Sequence, residues 1–85
     1  MKFAKLFELG KHQVLATVKY DNEKEVHIFS LETSLDGVII GMDATYKEEY
    51  KALRSLGSYT EDMAKRFLEN AIDVSKKTNT KVDET

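Results

Sequence analysis

Two hydrophobic periods divide the chain, and the change falls near residue 46. From Phe3 to Tyr46 the dominant period is two, the signature of strands. Phe3–Leu9 alternates loosely, with Phe3, Phe7 and Leu9 together and Lys5 interrupting them. Gln13–Tyr20 alternates cleanly, with Val14, Ala16, Val18 and Tyr20 on one face and Gln13, Leu15, Thr17 and Lys19 on the other. Gly10-Lys11-His12 between these runs is short enough for a hairpin loop, and Gly10 can supply a positive φ. Asp21-Asn22-Glu23-Lys24 makes the next turn, and Glu25–Thr33 follows as a third strand. Asp36-Gly37 is the strongest short hairpin signal, and Val38, Ile40, Met42, Ala44 and Tyr46 alternate after it as a fourth strand. Consecutive short connections predict an antiparallel meander.

From Lys47 the period becomes helical. Tyr46, Tyr50, Leu53 and Leu56 recur at three- and four-residue steps, and Gly57 sits where a helix C-cap belongs. Ser58-Tyr59-Thr60-Glu61 fits a capping box with Ser58 as N-cap, and Thr60 is the competing N-cap. The second helix then extends to about Lys77, with Met63, Phe67, Ala71 and Val74 as its apolar stripe, widened by Ala64, Leu68 and Ile72. Thr78–Thr85 reads as a flexible polar tail. The fold class predicted is α+β, a single domain over residues 1–77 in which a four-stranded meander precedes two helices packed on one sheet face.

The covered sheet face is expected to carry Phe3, Phe7, Val14, Ala16, Val18, Val26, Ile28, Val38, Ile40 and Met42. Leu6, Leu15, Phe29, Leu31 and Ile39 then fall on the open face, among Thr17, Lys19, His27 and Thr45. The other register of the third strand would expose Val26 and Ile28 instead. Either way that strand is apolar on both sides, and a contiguous apolar patch on an open face marks an interface.

Composition narrows the function classes. The chain has 85 residues, enough for one domain with a small core. It has no cysteine, which excludes disulfides, thiolate metal sites and thiol nucleophiles. Thirteen Lys+Arg against fifteen Asp+Glu give a net charge of −2, too balanced to favour nucleic acid through bulk electrostatics. No apolar run is long enough to span a membrane, and the N-terminus leads into no signal-peptide core, so a cytoplasmic setting is expected.

Little in the sequence points to catalysis. His12 and His27 lie in a turn and mid-strand, without the third ligand a metal would need. No Ser or Thr sits in an activating motif, and the four glycines form no phosphate cradle. Asp21–Glu32 places acids where a calcium-binding EF-hand loop does, but Val26 stands where the loop requires Gly. Asp43, Glu48 and Glu49 cluster at the start of the first helix, where the helix dipole accounts for them. The expectation is a non-enzyme with no cofactor and no metal. The alternative that keeps chemistry is a weak metal or acid/base site at Asp43, Glu48 and His27.

Several local strings carry a resemblance: Met1-Lys2-Phe3-Ala4-Lys5, Tyr20-Asp21-Asn22, Gly37 and Gly41 around the fourth strand, and Glu69-Asn70-Ala71-Ile72 in the last helix. With the order of elements and the size, these are similar to the small phage-encoded type I-F anti-CRISPR proteins. That resemblance implies an inhibitor that blocks a CRISPR surveillance complex by occupying a subunit surface. It carries Tyr20 over as a contact residue and puts Glu32 near an acid of that pattern, while Leu6 stands where the pattern has an aromatic. The expected function is a protein-binding module that masks a surface of a host protein complex. Leu15, Phe29 and Leu31 form its apolar anchor, with Lys19, Tyr20 and Glu32 as a polar fringe. A structural homodimer through the open sheet face is the first alternative, and a nucleic-acid-binding domain the second.

Overall fold

The computed structural model describes residues 3–83, with side chains as far as Lys76. Four strands, β1 (Ala4–Leu9), β2 (His12–Asp21), β3 (Val26–Leu35) and β4 (Val38–Tyr46), precede two helices, α1 (Glu49–Ser58) and α2 (Glu61–Asp83). The strands form one antiparallel sheet in the order β1-β2-β3-β4. This is the ββββαα α+β fold expected from the hydrophobic pattern.

The turns set the register. Asp36 and Gly37 both take positive φ, 51° and 82°, the backbone of a type I′ turn closed by the Leu35–Val38 pair. Gly10 has φ 67° at the first position of the two-residue connection between Leu9 and His12, so His12 belongs to β2 rather than to the loop. At the third turn Asp21 Oδ1 accepts the amides of Glu23 and Lys24 at 3.0 and 3.2 Å. Glu25 closes that turn at φ 54°.

All three connections hold an even number of residues, so even positions of one strand pair with odd positions of the next. Val14, Ala16 and Val18 therefore lie beside Thr33, Leu31 and Phe29, which lie in turn beside Ile40, Met42 and Ala44. This reverses the expected faces of β3. Phe29 and Leu31 are buried under the helices, at 8% and 5% exposure, while Val26 and Ile28 point to the open face. A single face assignment flips a whole strand because side chains alternate with period two.

The core is Val14, Ala16, Val18, Phe29, Leu31 and Leu35 from the sheet, against Ala52, Leu56, Tyr59, Ala64, Phe67, Leu68 and Ala71. Tyr59, in the link between the helices, wedges between Phe7 and Phe29 with ring centroids 5.8 and 5.7 Å away. Its hydroxyl donates to the Met63 carbonyl at 3.2 Å, so the buried ring leaves no orphan polar group. Lys5, which interrupts the apolar face of β1, points the same way as Phe7 and reaches the end of α1. There its ammonium donates to the Gly57 and Tyr59 carbonyls at 3.0 and 3.3 Å, satisfying acceptors that a helix end leaves open.

Helix boundaries differ in detail from the sequence reading. Gly57 is not in the left-handed conformation, and α1 continues through it to Ser58, where the Tyr59 amide bonds the Leu56 carbonyl. Thr60, not Ser58, caps α2: its hydroxyl accepts the Met63 amide at 3.3 Å. The backbone of α2 runs through Asp83, past the expected stop at Lys77, because neither Gly nor Pro follows to break it. Part of the expected tail is thus helical, and Glu84 and Thr85 lie outside the described residues. No helix among the described residues is long and apolar enough to cross a membrane.

Candidate functional site

Two surfaces of the sheet remain uncovered, one on each side. On the helix side, α2 leans on β1 and β3 while α1 crosses β2, β3 and β4. The far part of β4 is left bare. Val38 and Met42 point toward the helix layer, as the alternation of β4 requires, yet are 61% and 57% exposed. They were expected in the core. Phe3, also expected there, precedes β1 and is exposed.

Between β4 and α2 lies a groove of about 660 Å³. Phe29, Leu31 and Phe67 form its floor, Ile40 and Met42 one wall, and Met63 and Val74 the other. Met63 and Val74 belong to the expected apolar stripe of α2. Only its centre, Ala64, Phe67, Leu68 and Ala71, is buried, and its groove-side flank is not. Arg66 and Asn70 supply polar groups along the groove, and the Tyr46 hydroxyl shares a 3.0 Å hydrogen bond with Ser55 at one end. β4 is also an edge strand, so its outer backbone groups have no strand partner within the sheet.

On the opposite side no helix among the described residues covers the sheet. Pairing places Leu6, Leu15, Glu32 and Gly41 in one row across all four strands, with Ala4, Thr17, Ser30 and Asp43 in the next. A smaller hollow of about 360 Å³ lies there, lined by Leu6, Leu15, Glu32 and Ile39 with Lys11 and Gln13 at its rim.

The six residues expected to form one contact surface are divided. Leu15, Lys19 and Glu32 do share the open face. Phe29 and Leu31 do not: they are core side chains that touch the outside only as the floor of the helix-side groove. An apolar anchor made of them on the open face is therefore ruled out. Tyr20 also faces the helix side, where it is exposed at the end of β2 and packs on His27 with ring centroids 4.7 Å apart.

Among the described residues, no three His, Asp or Glu side chains come close enough to hold a metal ion. Asp43 lies on β4, and Glu48 precedes α1 and pairs with Lys51 at 3.7 Å. Glu48 also holds the exposed Tyr50 phenol above its ordinary pKa, through a hydrogen bond and its charge. No family model, curated protein or solved structure matches this chain.

Proposed function

We propose that this chain is a non-enzymatic protein-binding module that takes an apolar segment of a partner into the groove between β4 and α2. One observation carries the reading: the helix layer leaves the far part of β4 bare, so Met42, Met63 and Val74 stand exposed around a groove floored by core aromatics. Contiguous apolar surface of this kind costs solubility and is characteristic of recognition sites. Methionine on both walls suits them to partners of different shape, since its unbranched side chain repacks readily. The free edge of β4 adds backbone donors and acceptors along one wall, which an extended partner segment can pair with. The module works by occupation. It masks the partner segment it holds, which is how an inhibitor of a host protein complex, the role implied by the anti-CRISPR resemblance, would act.

The test is a display selection of random linear peptides on the immobilised chain, with counter-selection on the double variant Met42→Asp/Met63→Asp. Both positions are exposed, so the variant is expected to keep its cooperative melt. The reading requires enrichment of apolar peptides whose binding falls about tenfold or more on the variant, a change of ~1.4 kcal/mol. Enrichment that is equal on both proteins, or none at all, would overturn it.

A further inference from the structure

The open sheet face has a charge pattern that the chain as a whole hides. Its outward-facing strand positions include Glu8, Asp21, Glu32 and Asp43, against Lys19 on the strands and Lys11 at the rim of the hollow. Four carboxylates to two ammonium groups make this face acidic, although the chain total is only −2. Glu8 is engaged by Gln13 at 3.5 Å and Asp21 by its own turn, but Glu32 and Asp43 take no part in the ion pairs Lys51–Glu48 and Lys65–Glu61. Glu32 stands in the middle of the face, half-buried, between Leu15 on one neighbouring strand and Gly41 on the other. Gly41 has no side chain to cover the flank of that carboxylate. A Cβ there would sit 3.0 Å from the Leu31 carbonyl and 3.5 Å from Glu32 Cγ.

A carboxylate set among Leu6, Leu15 and Ile39 is matched by an apolar surface that brings its own cations. We propose that the open face docks a basic amphipathic helix of a partner protein, apolar side chains lying on the row of Leu6 and Leu15 and Lys or Arg reaching Glu32 and Asp43. A helix laid on the bare side would complete a three-layer arrangement of the kind that buries both faces of a sheet. The same charges argue against a second copy of this chain at that surface, because two acidic faces brought together repel. They equally disfavour a nucleic-acid backbone. This proposal is independent of the β4–α2 groove, which lies on the other side of the sheet.

The probe is a synthetic 18-residue helix with a leucine stripe flanked by lysines, compared with the same peptide carrying glutamate for every lysine. Binding is read by fluorescence anisotropy and located by amide shifts in the isotopically labelled chain. The lysine peptide is expected to shift Leu6, Leu15, Glu32 and Ile39, with affinity falling as salt rises, and the glutamate peptide to leave them unmoved. Glu32→Lys/Asp43→Lys should weaken binding about tenfold or more. Asp62→Lys/Glu69→Lys on α2 makes the same change of net charge and should alter binding less than about twofold. Met42→Asp/Met63→Asp should leave it unchanged, which separates this result from the fate of the groove. The proposal is overturned if the two peptides bind alike, if both charge-swapped variants weaken equally, or if the shifts fall on the helix side. It is overturned as well if light scattering shows a dimer that Leu15→Glu dissolves, since a second copy would then occupy the face. Circular dichroism melts of each variant establish that the fold is intact before binding is read.

Discussion

Glu25 and Tyr59 show how single residues carry constraints that their neighbours impose. Glu25 sits at φ 54° because the turn begun by Asp21 must re-enter β3 in register. A left-handed backbone disfavours any side chain with a Cβ by roughly 1–2 kcal/mol. Glycine removes that penalty while adding some unfolded-state entropy, so Glu25→Gly is expected to raise stability by about 0.5–1 kcal/mol in urea unfolding. Tyr59 couples β1, β3 and α2 through its ring and hydroxyl, and burial holds its phenol above the ordinary 10.0. The sign follows from which state ionises first. Above pH 10 the unfolded chain loses this proton before the folded one does, so the contribution of Tyr59 is complete below 10 and falls as pH rises through the folded value. Tyr59→Phe should cost about 1 kcal/mol at neutral pH, from the lost hydrogen bond. Its stability should then decline less than that of the parent between pH 9 and pH 11. An equal decline in both would mean that Tyr59 does not titrate with folding.

At the scale of elements, the strands and helices are legible from hydrophobic period, and the faces of β3 from the length of the turn that follows it. Asp36-Gly37 reads as a two-residue turn, and such a turn pairs even positions of β4 with odd positions of β3. Once Val38, Ile40 and Met42 are assigned to the helix side, Leu31 and Phe29 must join them. Choosing the face of β3 by its own residues fails because both of its sides are apolar. Phe29 is thus a core residue, and Phe29→Ala should cost about 3–5 kcal/mol, whereas Leu15→Ala on the open face should cost about 1 kcal/mol or less. Urea unfolding of the two variants checks this. Similar losses would put the two side chains in equivalent surroundings, contrary to the burial of Phe29. Phe29→Glu, which a surface position would tolerate, is expected to abolish cooperative melting. The end of α1 was less legible. Gly57 is a natural helix stop, but Lys5, fifty-two positions earlier, supplies donors at the end of α1 that local sequence does not reveal.

For the molecule as a whole, the open side of the sheet follows from counting layers, but the bare flank of β4 does not. Two helices could in principle cover four strands. Here α2 is drawn toward β1 and β3, with Tyr59 at its approach wedged between Phe7 and Phe29, and such long-range packing leaves no local trace in the chain. Met42 and Val38 therefore read as core, yet both are exposed, and Met42 lines an open groove. The most direct test of that groove as a recognition site is the methyl spectrum of the chain labelled at methionine, recorded as a display-selected peptide is added. The Met42 and Met63 methyl signals should shift together and saturate at one stoichiometry, while the Leu6 and Leu15 amides stay in place. Saturable binding that moves the Leu6 and Leu15 amides but neither methionine would contradict it.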